Sequence, residues 1–420
     1  MRSHRSALPI LSAVVGLISI SPTVLAQSDF YLKNGDRVVF YGDSITDQRL
    51  YTTFAETFVV TRFPKLNIKF THSGWGGDRV TGGGGGPIDM RLERDVFAYN
   101  PTVMTVMLGM NDGSYRLFDD GIFNTYARGY EHIIQSVTTH QPGIRMTLIQ
   151  PSPYDDVTRA PGFPGGYNAV LLKYSDFVKD IAVKNKLDTA DLNNSVVDAL
   201  KVAQANDPAG AAKIIADRVH PGPGGHLLMA EALLKAWKAP KLVSSVDIDA
   251  TSKKVTSANT KVSDIQYGSS LSWTQMDNAL PMPIDFNDAA TKLSIKSSDF
   301  IESLNQQPLK VSGLSAARYA LKIDGMPVGE FSNSELSSGI NLAVLSTPMV
   351  KQAAQVHALT LKHNNIHFLR WRNVQVPMQN DKLANMPKAL AGLDAIEADV
   401  VAQQHAAAMP VSHKFELTPQ

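Results

Sequence analysis

The sequence predicts a three-layer α/β/α domain followed by a smaller β-rich module and a helical tail, on three observations. From Arg37 to Trp237, short apolar runs alternate with longer stretches of helical spacing, the pattern of a parallel sheet covered by helices. Pro240 ends that alternation, and to about Leu345 the chain is richer in Ser, Thr and short alternating stretches. From about Pro348 onward, Ala-rich stretches with helical character take over.

Five runs fit strands: Arg37–Tyr41, Ile68–His72, Thr102–Leu108, Arg145–Gln150 and Thr189–Leu192. Helical spacing and length fall at Tyr51–Phe63, Ile88–Tyr99, Phe123–His140, Asn168–Lys186 and Gly224–Trp237. Further on, Tyr319–Ile323 and Met326–Phe331 flank Asp324-Gly325, a pair that supplies the positive φ angles of a tight hairpin turn. Pro327 cannot donate to a ladder, so the second of these strands is expected at an edge. Gly82–Gly86 reads as a flexible loop, because it lacks the Lys-Ser/Thr of a phosphate cradle. The expected organisation is 1–26, a signal peptide; 27–240, the α/β domain; 241–347, the β-rich module; and 348–420, the helical tail.

Composition narrows the class. Hydrophobic residues are 44% and charged residues 19% of the 420, a globular make-up with length for two folded units. A formal net charge of +1 gives no reason to expect nucleic acid or an anionic membrane surface as partner. There is no cysteine, which excludes disulfides, thiolate metal sites and a lipidated cysteine. Arg2 and Arg5 precede an apolar stretch from Ala7 to Ile20, and Val24-Leu25-Ala26 has the form of a cleavage site. That stretch, about 14 residues, is short of the roughly 20 needed to span a bilayer. An exported protein, periplasmic or secreted and without stable membrane insertion, is the expectation.

Three turns carry the candidate chemistry. Ser44, in Gly42-Asp43-Ser44 directly after the first strand, suits either a nucleophile presented at the strand's C-terminal edge or an ordinary helix N-cap. Gly74-Trp75-Gly76-Gly77-Asp78 and Gly109-Met110-Asn111-Asp112 end the second and third strands. If the strand order is 2-1-3, both flank Ser44, and the Ser44 and Gly77 amides with the Asn111 side chain become candidate oxyanion donors. Near the end of the domain, Asp217-Arg218-Val219-His220 contains the sole histidine of 11 with an aspartate three residues before it. That spacing suits a base and the carboxylate that orients it, or simply a surface loop. His72 is expected in the core or behind the site, and His226 in a structural role at a helix start. No metal site is expected, since His220 and His226 lack helical ligand spacing and the chain has no His-Glu-x-x-His pair.

Taken together, Gly42-Asp43-Ser44-Ile45, Gly77, Gly109-Met110-Asn111-Asp112 and Asp217-Arg218-Val219-His220 resemble the four marker blocks of the SGNH (GDSL-like) hydrolase superfamily, in order, over roughly Asn34 to Lys238. The resemblance implies a flavodoxin-like fold with five parallel strands in the order 2-1-3-4-5. It also implies a serine esterase with Ser44 as nucleophile, His220 as base, Asp217 as its partner, and Ser44, Gly77 and Asn111 around the oxyanion, with no cofactor. It does not extend past Pro240. Export points to short acyl groups, acetyl above all, on small esters or acylated polysaccharides, with Trp75 and Tyr115 offering aromatic faces in an open cleft. Against this stand a lipase or lysophospholipase type of acylhydrolase, for which Met104, Met107 and Met110 would form an acyl pocket, and a non-catalytic carbohydrate-binding protein on the same scaffold. All proposed site residues precede Pro240, so a unit ending there is expected to stand without the rest of the chain.

Overall fold

The computed structural model describes residues 29–420, so the expected signal peptide lies outside the described residues. The first half is built on a five-stranded parallel sheet of β1 (Arg37–Gly42), β2 (Lys69–Gly74), β3 (Val103–Met107), β4 (Arg145–Ile149) and β5 (Asp188–Ala190), in the spatial order β2-β1-β3-β4-β5. All five residues of β3 are buried, as expected for a sheet with helices on both faces. In register, Gly42 of β1 lies opposite Gly74 of β2 and Met107 of β3. The turns leaving the C-terminal ends of these three strands therefore converge on one edge of the sheet.

Helices Leu50–Arg62, Ile88–Asp95, Asp120–His140, Gly166–Asn185 and Pro223–Ala236 follow the expected positions. The second stops early and finishes as a single 3-10 turn, Phe97–Tyr99. The expected alternation passes over a further helix, Asn194–Asn206, whose Val196, Ala199, Leu200 and Ala203 form a buried stripe at helical spacing. Among the described residues no helix is long and apolar enough to cross a membrane.

Beyond Pro240 the chain forms two sheets. One has four strands in the order Ile340–Asn341, Pro308–Ser312, Ser245–Asp249, Lys254–Ala258. The other has five, in the order Thr260–Gln266, Leu271–Asp277, Ser412–Pro419, Arg318–Ile323, Met326–Ser332. The expected hairpin is present, with Asp324 at φ 53° and Gly325 at φ 76°, and the strand carrying Pro327 lies at the edge. The tail is helical over Pro348–Phe368 and Met386–Ala408, yet its last segment, Ser412–Pro419, is a central strand of the five-stranded sheet. Phe415 stacks there on Trp273 at 5.0 Å. The helical hairpin is thus an excursion from the β module rather than a free end.

That excursion docks on the first half. Helix Leu50–Arg62 is buried on nearly every side, including Thr52, Thr53, Glu56, Thr57, Thr61 and Arg62. Buried polar groups need partners, and the C-terminal half supplies several of them. Asn364 Nδ2 donates to Thr53 Oγ1 at 3.0 Å, His357 Nδ1 lies 2.9 Å from Thr57 Oγ1, and Arg62 donates to the Leu304 carbonyl at 2.9 Å. Glu56 sits at the centre, 3.1 Å from His72 Nε2, 2.5 Å from His363 Nε2 and 3.0 Å from Gln404 Nε2. A unit ending at Pro240 is consequently not closed: it would bare this face and the helix Pro223–Ala236, against which Ala289–Lys296 packs so tightly that a methyl on Gly224 would lie 2.5 Å from Ser294 Oγ.

Burial alone would lower the His363 imidazole, but the Glu56 carboxylate opposite it, with Glu397 on its other nitrogen, pushes it up to about 10 from 6.5. Burial would likewise raise Glu56, and the charge and hydrogen bond of His363 instead hold it well below the carboxylate range. A raised folded-state value means the stability from His363 is complete below about pH 6.5 and is lost as pH rises through about 10. We expect His363→Gln to cost about 3–5 kcal/mol at pH 6, as for breaking a buried ion pair. The gap in melting temperature between wild type and His363→Gln should shrink steadily from pH 6.5 to 10; a gap independent of pH would contradict a charged His363.

Candidate active site

β1 ends at Gly42, and the chain turns through Asp43 into a single helical turn, Ser44–Asp47. Asp43 Oδ1 caps that turn by accepting from the Ile45 amide at 3.1 Å. β2 passes so close behind it that a methyl on Gly74 would sit 2.2 Å from the Asp47 nitrogen. Ser44 is half-exposed at the sheet edge as a result, while its neighbours Asp43 and Ile45 are buried.

The turn after β2 is tied to this elbow. The Gly76 amide donates to Asp47 Oδ2 at 3.1 Å, and Gly77 adopts φ 78°, a left-handed conformation that glycine takes without strain. Asp78 follows, held at 2.8 Å by Nε of the fully buried Arg91, which also bonds Asp95 and the Ser73 carbonyl. Trp371 from the C-terminal half donates to the same Asp95 at 2.6 Å.

The turn after β3 is fixed by two tyrosines. Tyr126 donates to the Leu108 carbonyl at 3.2 Å and Tyr167 to the Met110 carbonyl at 2.6 Å. Asn111 is then aimed by two bonds: Nδ2 donates to the Asp78 carbonyl at 3.0 Å, and Oδ1 accepts from the Tyr115 hydroxyl at 3.1 Å. Only one of the two Nδ2 hydrogens is used in this way, so the amide keeps its second N–H available. Tyr115 and Ser114 hold left-handed φ of 53° and 56°, local strain of the kind retained near functional sites. Burial pushes Asp43 and Asp112 up to about 7, which keeps the floor of the site from being fully anionic at neutral pH.

The fourth segment approaches from the far end of the domain. Asp217 Oδ1 accepts from the amides of Val219 at 2.9 Å and His220 at 2.7 Å, and Oδ2 accepts from His220 Nδ1 at 2.7 Å. Partial burial would raise Asp217, but these bonds, the His220 amide foremost, bring it below the usual value. His220 Nε2 lies 2.8 Å from Ser44 Oγ. The network assigns the imidazole proton to Nδ1, leaving Nε2 to accept from the serine hydroxyl. Arg159 clamps the loop by donating to the carbonyls of Ala212, Ile215 and Ala216, and Asp155 accepts from Arg159 at 3.2 Å.

The structure thus brings Ser44, His220 and Asp217 into one hydrogen-bonded series, with the turns bearing Gly77 and Asn111 leaving the adjoining strands. His72 lies in the core against Glu56 and Thr52. His226 is buried, accepting from the Tyr51 amide and facing Gln48, and burial lowers it to about 3. Trp75 does not offer an aromatic face in an open cleft: it is buried, with the Arg372 guanidinium 3.1 Å from its ring centroid. Tyr115 remains 44% exposed. Met104, Met107 and Met110 are core residues at 1% exposure or less, so they line no acyl pocket. The open depression beside Ser44, about 410 Å³, is bounded by Asp47, Gln48, Arg49, Asp217, His220 and Phe368. Sequence reasoning missed Arg159, the hydrogen bond of Tyr115, and Phe368, whose only local signals are an arginine in a loop, a tyrosine four residues after Asn111, and an aromatic on a distant helix. Among the described residues, no group of three His, Asp or Glu side chains is placed to hold a metal ion.

Residues 40–228 match the GDSL-like Lipase/Acylhydrolase family. An acetylxylan esterase of Geobacillus stearothermophilus is 25% identical over 227 residues, covering 48% of this chain and 94% of that protein. A crystal structure of the acetylxylan esterase Axe2 from the same organism superposes with a TM-score of 0.41 at 22% identity, over 50% of this chain and 96% of that one. Both halves superpose on the gut microbial diltiazem-metabolizing enzyme BT4096, with a TM-score of 0.82 and 26% identity over 93% of this chain and 98% of that one. The N-terminal α/β domain thus carries a GDSL-like lipase/acylhydrolase match over residues 40–228, and the chain is a carboxylic ester hydrolase.

Proposed function

We propose that the protein is an exported serine esterase that removes short acyl groups, acetyl above all, from carbohydrate alcohols through an acyl-enzyme. The observation that carries the mechanism is the Ser44–His220–Asp217 series, with contacts of 2.8 and 2.7 Å. Ser44 Oγ attacks the ester carbonyl as His220 Nε2 takes its proton, and Asp217 stabilises the imidazolium that forms. The Ser44 and Gly77 amides and the second N–H of Asn111 serve as donors to the charge that develops on the carbonyl oxygen. Collapse of the tetrahedral intermediate expels the alcohol with the proton from His220. Water then repeats the sequence on the acyl-serine, assisted by the same base.

Support for a short acyl group on a sugar comes from the polar side chains of Asp47, Gln48 and Arg49 that bound the depression, from the burial of the three methionines, and from the acetylxylan esterase relative. The amino-terminal pattern of charge, apolar stretch and small residues supports export. A purely carbohydrate-binding protein would have no use for a serine hydroxyl set on an oriented imidazole.

Asn111→Ala should lower kcat about 10²–10³-fold with little change in KM, as for loss of one oxyanion donor. Tyr115→Phe, which removes one neutral hydrogen bond from Asn111, should lower kcat about fivefold and have no further effect in the Asn111→Ala background. Additive losses in that cycle would separate Tyr115 from Asn111. The substrate is tested by kcat/KM for acetyl against octanoyl esters of one alcohol, together with acetate release from acetylated xylan. Acetyl is expected to be preferred and acetate released; preference for the long chain with no acetate from any polysaccharide would favour a lipase.

A further inference from the structure

We infer that Phe368, contributed by the C-terminal helical hairpin, is a specificity-determining residue of the esterase site that receives the alcohol portion of the substrate, and that it selects alcohols with a flat apolar face. This deepens the mechanism proposed above and rests on it.

The site has two sides. His220 must return its proton to the departing oxygen, so the alcohol lies on the His220 side of Ser44, while the acyl oxygen turns toward Gly77 and Asn111. The depression beside Ser44 is on the alcohol side: His220 and Asp217 bound it, and neither Gly77 nor Asn111 does. Phe368, the last residue of helix Pro348–Phe368, also lines it, and is the one apolar side chain among its lining residues.

The ring is held in place. The Arg49 guanidinium lies 4.3 Å from its centroid, and Arg49 is fixed by bonds to the Asn365 side chain at 3.0 Å and the Asn364 carbonyl at 3.3 Å. Arg49 itself adopts φ 58° at the start of helix Leu50–Arg62. One turn on, the Arg372 guanidinium rests on Trp75 and lies 3.7 Å from Asp47, joining the hairpin to the Ser44 elbow a second time. The other walls, Asp47, Gln48 and Arg49, are polar. A hydroxyl-bearing ring with one apolar face meets both needs: the face packs on Phe368 and the hydroxyls reach the polar walls. A pyranose and a substituted aromatic ring both have such a face.

The acetylxylan esterase relative aligns over 94% of its own length to 48% of this chain, which leaves it no length for a counterpart of the hairpin. Phe368 therefore adds to this site a wall that a single α/β domain does not have.

The test compares kcat/KM for the acetyl esters of methyl xyloside and phenol, each as a ratio to ethyl acetate, the ester of an alcohol with no ring. Phe368→Leu keeps the bulk and loses the flat face; it should lower the ratio for one or both ring alcohols about tenfold. Phe368→Tyr should keep it within about twofold, and Phe368→Met replaces the leucine variant if that fails to fold. A fall confined to the xyloside assigns a sugar, and one confined to phenyl acetate assigns an aromatic alcohol. Unchanged ratios, or equal losses in the leucine and tyrosine variants, would overturn the role of Phe368. Ser44→Ala, run alongside, should silence all three esters; activity surviving that change would overturn the underlying mechanism instead.

Discussion

The 2.8 Å contact between Ser44 Oγ and His220 Nε2 joins residues 176 positions apart, and most of the α/β domain acts to hold its two ends still. On the serine side, the close passage of β2 and the Asp43 cap leave the elbow one conformation. On the histidine side, no regular element carries the loop, so the work falls to Arg159 and to the Asp155 amide, which donates to the Arg218 carbonyl at 2.9 Å. Holding an oriented base against a nucleophile before substrate arrives removes an entropic cost from the reaction. A register that aligns the ends of β1, β2 and β3 places the other two turns within the same neighbourhood.

The C-terminal half serves this arrangement indirectly. Its strands return to build their own sheets, but the hairpin between them lies along helix Leu50–Arg62, the first long element after the nucleophile. Glu56 is the hub of that contact, a buried carboxylate facing one charged and one neutral imidazole. Such a group is costly without its partners, so the α/β domain and the hairpin are stable together rather than separately. The recurrence of both halves in BT4096 fits a unit in which the second half belongs to the fold of the first.

Much of the catalytic domain was legible in the sequence because its signals are local. Alternating apolar runs and helices specify a doubly covered parallel sheet, and the aspartate three residues before His220 can meet its imidazole within one loop. Other features are invisible locally. The Thr53, Glu56 and Thr57 face of helix Leu50–Arg62 has the composition of a solvated surface, and the hairpin some 300 residues later turns it into an interior. For the same reason Trp75 looked available to substrate, since the arginine that covers it belongs to that hairpin. Phe368 and Arg159 carry no motif, because their roles depend on where the chain returns and not on neighbouring residues.

Ester turnover at this site requires that Ser44 be the group that becomes covalently acylated. Labelling the full-length protein with a fluorophosphonate and mapping the modified peptide tests this directly. We expect one adduct per molecule, on Ser44, forming orders of magnitude more slowly in His220→Ala. An adduct on another residue, or a Ser44 that stays unmodified while ester turnover continues, would contradict it.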